Sequence, residues 1–314
     1  MKPAAVVIGR NEGARLVACL ASLEGEVGQV IYVDSGSTDG SIAAARAHGA
    51  RVVLLDQDAP FTAARARNAG FAAIDPGTEY VQFLDGDCAL RAGWISKAAA
   101  FLDAHADVAV VCGRRRERAP GASIYNALID REWDTPMGAA LACGGDALVR
   151  VDALADVGGY RDDLIAGEEP ELCVRLRAAG WRIWRLDAEM TWHDAALTRF
   201  DQWWQRCRRA GHAFAEGAAL HGAPPERHWV TETRRAIVWG AVLPLAIILA
   251  ALLFGPWALV GLGVYPAQVV RLSSRMGWMQ AFFTTLGRFP EALGALGYWK
   301  NRLLGRRRHL IEYK

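Results

Sequence analysis

The chain has 314 residues, 52% of them hydrophobic, which is enough to bury a substantial core in one large domain or two smaller ones. Its six cysteines (Cys19, Cys88, Cys112, Cys143, Cys173, Cys207) include no Cys-x-x-Cys pair, which argues against a zinc site built from cysteines and for free thiols in a reducing compartment. The net charge of +2 is unevenly placed: residues 1–270 hold 27 Lys and Arg against 32 Asp and Glu, and residues 271–314 hold nine against two. A slightly acidic body with a basic tail implies that the tail meets something negative.

The N-terminus runs from Met1 into Ala4–Ile8 and then Arg10, an apolar run too short for the core of a signal peptide, so the N-terminal part is expected to stay in the cytoplasm. Ala4–Ile8 reads as a strand, Ala14–Leu23 as a helix and Gln29–Val33 as a second strand ended by the turn-rich Asp34–Gly40. Ser41–His48 is helical, Arg51–Leu55 a strand, Pro60–Phe71 helical in its second half and Tyr80–Leu84 another strand. This alternation predicts an α/β fold with a mostly parallel sheet flanked by helices. Ligands of such sheets bind at the carboxyl ends of the strands, where Asp34 and Asp85 fall. From about Val108 to His193 the pattern is less regular, with Gly-Gly turns at 144–145 and 158–159, a helix over Glu168–Ala179 and a strand over Trp181–Leu186.

Phe200–Leu220 reads as an amphipathic helix rich in Trp and Arg. From Ala236 to Val270 there are 35 residues without a Lys, Arg, Asp or Glu. A single helix of that length would be about 52 Å long against a hydrocarbon core of about 30 Å. Gly255-Pro256 breaks the run, so two helices, Ala236–Phe254 and Pro256–Val270, fit better as a transmembrane or a re-entrant hairpin. Arg234 and Arg235 before it, and Arg271 and Arg275 after it, place both ends on the cytoplasmic side. The following apolar, aromatic stretch to Tyr298 and the basic Lys300, Arg302 and Arg306–Arg308 suit an interfacial segment on anionic headgroups. Nucleic acid as the partner of these arginines would leave the apolar hairpin unexplained.

The sharpest chemical signal is Phe83-Leu-Asp-Gly-Asp87, two carboxylates one residue apart at the end of a hydrophobic strand. Alternate side chains of an extended segment can approach one cation, and hard oxygen ligands suit Mg²⁺ or Mn²⁺ bridging a diphosphate. Asp-Gly-Asp is also an ordinary turn, and the surrounding motifs decide between the two. Val6-Val-Ile-Gly-Arg-Asn-Glu12, Val33-Asp-Ser-Gly-Ser-Thr-Asp-Gly-Ser41, Ala66-Arg-Asn-Ala-Gly70 and Phe83–Asp87 follow one another within ninety residues. In this order they resemble the family-2 glycosyltransferases of the GT-A fold, over about residues 4–195. Many members carry Pro-Thr-Tyr before the Asn-Glu, which this chain lacks.

The resemblance implies that Asn11 and Glu12 line the nucleotide-sugar site, that Asp34 contacts the base or ribose, and that Asp39 either contacts the nucleotide or holds the turn. It implies a phosphate contact for Arg67, a ribose or metal-water contact for Asp85, and a glycine loop, Gly144-Gly145-Asp146, lining the acceptor and donor-sugar side. Asp87 and the late His193 would hold a divalent metal, Mn²⁺ or Mg²⁺. Gly167-Glu-Glu-Pro-Glu171 is similar to the family's Glu-Asp motif, whose carboxylate deprotonates the acceptor; Glu169 is the expected base and Glu168 the alternative. The processive polysaccharide synthases carry Gln-x-x-Arg-Trp, and Gln205-Arg-Cys-Arg-Arg209 has Arg in place of that Trp. Transfer of a single sugar is therefore expected.

The resulting expectation is a metal-dependent, inverting transferase. It would use a nucleotide-sugar donor, with UDP favoured, and a lipid-linked or glycan acceptor, on the cytoplasmic side of the inner membrane. Residues 1–198 would form the catalytic domain (nucleotide half about 1–105, acceptor half about 106–198), followed by connecting helices over 199–235, the hairpin over 236–270 and an interfacial tail over 271–314. Two other readings share the same residues: a nucleotidyl- or phospho-sugar transferase, and a non-catalytic nucleotide-sugar-binding subunit of a membrane complex. Val7-Ile-Gly-Arg-Asn is a poor match to the phosphate loop of the first, and the intact Glu168-Glu169 pair argues against the second.

Overall fold

Short, wholly apolar runs become strands covered on both faces, and this chain opens with several of them. The computed structural model describes residues 2–56 and 58–305; the basic Arg306–Arg308 cluster lies outside the described residues. Between Thr198 and Arg199 the chain divides into two compact units.

The first unit begins β1 (Ala4–Gly9), α1 (Ala14–Ser22), β2 (Gln29–Asp34), α2 (Ser41–Ala47), β3 (Arg51–Leu54), α3 (Ala63–Phe71) and β4 (Tyr80–Asp85). These four strands are parallel, in the spatial order β3-β2-β1-β4. Ala4 to Val7 and Val81, Phe83 and Leu84 are buried, as expected for central strands with helices on both faces. Register brings the strand ends into line: Ile8 pairs with Val33 and with Asp85, and Gly9 pairs with Asp34. Asp34 and Asp85 therefore reach the same edge of the sheet, 51 residues apart in sequence.

The second half of this unit supplies β5 (Cys88–Leu90), α4 (Trp94–Ala104), β6 (Val108–Glu117), α5 (Ile124–Glu132), β7 (Gly138–Ala140), β8 (Ala147–Arg150), α6 (Val151–Asp156), α7 (Glu168–Ala178) and β9 (Arg182–His193). The full order is β3-β2-β1-β4-β8-β6-β9-β5, with β7 also on β9, giving a mixed sheet of nine strands. β8 runs antiparallel between β4 and β6, and β5 antiparallel on β9. The strand expected over Trp181–Leu186 continues to His193, because its second half gains a partner in β5 that local sequence does not reveal.

The second unit contains α8 (Phe200–His221), α9 (Val230–Ile237), α10 (Leu243–Phe254), α11 (Val264–Met276), α12 (Trp278–Leu286) and α13 (Arg288–Leu303). A turn of π-helix over Val238–Val242 joins α9 to α10, so that Val230–Phe254 is one continuous helix of 25 residues. Pro244 has no N–H to donate to the Gly240 carbonyl, and a widened turn beside such a proline accommodates the missing bond. The helix starts six residues before the expected Ala236, because Arg234 and Arg235 are good helix formers and extend it past the uncharged run. Gly255, at φ +110°, reverses the chain before a 3₁₀ segment, Pro256–Gly263, that leads into α11. Ile247 lies beside Gly261, and the Tyr265 hydroxyl donates to the Trp239 carbonyl at 2.7 Å, so the two arms fold back as a hairpin. Among the described residues, Val230–Phe254 alone is long and apolar enough to cross a membrane, and Leu245, Leu252, Leu253 and Phe254 on it are exposed.

Candidate active site

The Arg-Asn-Ala-Gly segment on α3 shows why those residue types stand together. Gly70 faces β1: a Cβ there would fall well inside van der Waals contact of Val6 Cγ1, so glycine lets the helix lie close on the sheet. Asn68 anchors the chain before α7, donating to the Tyr160 carbonyl and to Asp162 at 2.7 Å each and accepting from the Tyr160 amide at 2.8 Å. With the helix thus fixed, the buried Arg67 reaches forward to two carboxylates, Asp85 at 2.9 Å and Glu168 at 2.6 Å.

Asp85 receives a second arginine. Arg115, from the charged end of β6, lies 3.0 Å from Asp85 and 2.9 Å from the buried Asp146, and rests on the Trp133 ring at 5.0 Å. Burial opposes charge on Asp85, but Arg67 and Arg115 outweigh it and hold this carboxyl well below its usual range. Asp146 accepts in addition from the Asp85 amide and the Thr191 hydroxyl, tying β4, β6 and β9 together. Gly145 sits over this group: a Cβ there would lie 2.9 Å from Arg67 Nη2 and 3.0 Å from Asp85 Oδ2. Any side chain would displace the ion pair.

Asp87 is buried one residue beyond Gly86. The antiparallel register of β5 on β9 sets Cys88 opposite His193, and His193 Nε2 lies 3.4 Å from Asp87 Oδ1. Behind the imidazole, Nδ1 is 3.5 Å from Glu117 Oε2, and Glu117 also accepts from the Ala119 and Ala195 amides at 3.1 Å each. Burial lowers the His193 pKa despite Glu117, which favours the neutral imidazole that a metal requires. One ligand atom each from Asp87, Cys88 and His193 lie within 4.8 Å of one another. A carboxylate, an imidazole oriented by a second carboxylate, and a thiol fit a divalent transition ion better than Mg²⁺.

Other expected residues point elsewhere. Asp34 turns its carboxylate into its own loop, accepting from the Gly36 and Ser37 amides at 2.9 and 2.8 Å and from the Tyr32 hydroxyl at 2.9 Å. Asp39 accepts from the Ser41 and Gly13 amides at 2.9 and 3.1 Å, and Asn11 from the Thr38 amide at 2.7 Å, so this pair staples the first loop to the third. Glu12 pairs with Arg15 at 2.7 Å. Gly144, at φ +83°, turns the loop that carries Gly145 and Cys143. Glu169 is buried: its Oε1 accepts from the Cys143 amide at 2.6 Å and from the Cys143 and Cys173 thiols at 3.0 Å each. Burial raises its pKa, and these donors only partly offset that rise.

The site thus contains Arg115, Glu117, Thr191 and Trp133, which the linear reading does not single out, together with Asp146 of the expected glycine loop. One signal for the first two is in the sequence: Arg114-Arg-Arg-Glu117 ends the apolar run Val108–Cys112, placing four charges at the carboxyl end of a strand.

Comparison with known proteins shows the family and the fold. The model of glycosyl transferase family 2 matches residues 5–155. An uncharacterized glycosyltransferase of Mycobacterium tuberculosis is 33% identical over 186 residues, 56% of this chain and 79% of that protein. The chain belongs to glycosyltransferase family 2. The succinoglycan biosynthesis protein ExoA of Rhizobium meliloti is 25% identical over 317 residues, covering 95% of this chain and 94% of its own. Among solved structures, the mannosyltransferase PcManGT from Pyrobaculum calidifontis, in complex with GDP-Man and Mn²⁺, superposes with a TM-score of 0.67 at 20% identity, over 94% of this chain and 87% of that one. Residues 1–349 of S. aureus TarS, in complex with UDP-GlcNAc, give 0.51 at 15%, over 98% and 93%. The mixed, mostly parallel sheet with flanking helices is the GT-A fold, and this family-2 chain is a glycosyltransferase.

Proposed function

We propose that this family-2 enzyme transfers one sugar, with inversion, from a nucleotide-sugar donor to a hydroxyl of a lipid-linked or cell-envelope glycan at the cytoplasmic face of a membrane. The observation that carries the metal-dependent part is the 3.4 Å approach of His193 to Asp87 with Glu117 behind the ring. A Mn²⁺ or Mg²⁺ ion held by Asp87 and His193 would neutralise the charge of the leaving diphosphate.

The remaining roles belong to the chain's own groups. Arg67, fixed by Asp85 and Glu168, presents guanidinium charge beside the donor phosphates, and Asp85 faces the ribose or a water of the metal. Asn11, Glu12, Asp34 and Asp39 shape the nucleotide end, in part through the loop amides that they hold. Gly144 and Gly145 leave room for the donor sugar. Glu169 takes the acceptor proton; its raised pKa makes it a stronger base than an exposed glutamate, and Glu168 is the alternative. A UDP-sugar is the favoured donor, and the GDP-Man bound by PcManGT makes GDP the second nucleotide to test.

The membrane reading is supported by the exposed apolar helix Val230–Phe254 and by the near full-length likeness to ExoA, a succinoglycan biosynthesis protein. Titration of UDP, GDP and CDP into the purified protein, with Mn²⁺ and with chelator, tests the donor site. Metal-dependent binding of one nucleotide that disappears in Asp87→Ala is the expected result. Binding of none, with or without metal, overturns it.

A further inference from the structure

Cys143, Glu169 and Cys173 form a second cluster of metal-type ligands, separate from Asp87 and His193. Glu169 and Cys173 stand four residues apart on α7, so they project from the same helical face. Cys143 comes from the loop between β7 and β8, held there by a hydrogen bond of 2.6 Å from its backbone amide to Glu169. The two sulfurs are 3.8 Å apart, and each is 3.0 Å from the same Glu169 oxygen. Tetrahedral zinc with Zn–S bonds of about 2.3 Å sets two thiolates about 3.75 Å apart, so the sulfurs already stand at the required spacing. The carboxylate would move outward by about half an ångström to complete the third edge.

From this geometry we infer that Cys143, Cys173 and Glu169 bind one thiophilic divalent cation of the Zn²⁺ type. Both thiols give up their protons to solvent, the two thiolates and the carboxylate take three tetrahedral positions, and a water completes the fourth. Cys143 is only partly buried, which gives the ion a way in. Soft thiolates select this ion over Mg²⁺ or Mn²⁺, whereas the Asp87–His193 group carries a single thiol, Cys88, and is kept filled by saturating Mn²⁺. Because the ion takes the Glu169 carboxylate, its binding would also stop acceptor deprotonation; this consequence, unlike the site itself, rests on Glu169 being the base.

The test uses Cd²⁺ as a probe on the full chain kept reduced, reading the ultraviolet thiolate-to-cadmium charge-transfer band. With saturating Mn²⁺ on the Asp87–His193 group, one Cd²⁺ per chain, with two protons released in weak buffer, is expected. Cys143→Ser and Cys173→Ser should each weaken binding at least tenfold, while Asp87→Ala keeps the band. Thermal unfolding of each variant checks that it is folded. No band in the folded wild type, or a band of undiminished intensity and affinity in both serine variants, overturns the site. In transfer assays with saturating Mn²⁺, added Zn²⁺ should inhibit the wild type and leave a smaller fractional inhibition in Cys173→Ser. A normal cadmium band without inhibition by Zn²⁺ would overturn the role of Glu169 and leave the site standing.

Discussion

Arg67 and Glu168 are 101 residues apart in sequence and share a hydrogen-bonded ion pair of 2.6 Å. The same guanidinium holds Asp85 at 2.9 Å, so one side chain links the end of β4 to the start of α7. The pair also separates two adjacent carboxylates: Glu168 faces Arg67, and Glu169 faces the Cys143 loop. Removing one partner of a buried ion pair strands the other charge, at a cost of about 3–5 kcal/mol. Arg67→Ala should therefore lower stability by about that amount in denaturant unfolding of the solubilised protein, and Arg67→Lys should recover only part of it. Unchanged stability in both would mean that Arg115 alone satisfies Asp85.

Metal affinity should depend on a residue that touches no metal. Glu117 orients the imidazole of His193, and loss of such outer partners typically weakens metal binding about 10–100-fold. Glu117→Gln, which keeps the size of the side chain, should reduce Mn²⁺ affinity in that range by electron paramagnetic resonance titration. Chelator should abolish transfer, with Mn²⁺ restoring it.

The acid limb of the activity profile should respond to the two thiols. Burial raises the Glu169 pKa, and hydrogen bonds from Cys143 and Cys173 stabilise its charged form and pull the value back down. Cys173→Ala removes one such donor, so the pKa should rise further and the acid limb of kcat/KM should move to higher pH. A limb that stays fixed, or moves to lower pH, would assign the base elsewhere, with Glu168 the next residue to test.

Gly70→Ala should be destabilising through one contact. Its new methyl would overlap Val6 Cγ1, and overpacking of this kind costs about 1–3 kcal/mol. Val6→Ala combined with Gly70→Ala should recover much of the loss, giving a favourable coupling in a double-mutant cycle. Strict additivity would show that the helix moves away from the sheet instead.

Leu245→Lys separates a membrane helix from an exposed soluble one. Leu245 is 64% exposed, so a lysine there would be harmless in water. A charge near the middle of a membrane helix costs about 2.5–3.5 kcal/mol. Fractionation after an alkaline carbonate wash should find the wild type in the membrane pellet and more of the variant in the supernatant. Equal partitioning of both, in the soluble fraction, would remove the hairpin from the lipid.

The sequence by itself determined what is local. The β/α alternation over the first ninety residues, the break at Gly255-Pro256 and the residues Arg67, Asp85, Asp87 and Glu168 were legible because periodicity, turn chemistry and short motifs act between near neighbours. Helix and strand ends shifted where a distant partner or a neighbouring helix former decided them, as at His193 and Val230. Tertiary structure alone decided which groups meet: Arg115 with Asp85, Glu117 with His193, and Cys143 with Cys173 across 30 residues. Cysteine spacing gave no hint of that last pair, because the loop and the helix come together through long-range hydrogen bonds, from the Cys143 amide to Glu169 and from Arg177 to the Leu141 carbonyl. Asp34 likewise stands at the expected strand end, but where its carboxylate points was set by donors within its own strand and loop. In this fold the Gly36 and Ser37 amides, two and three residues ahead, hold it.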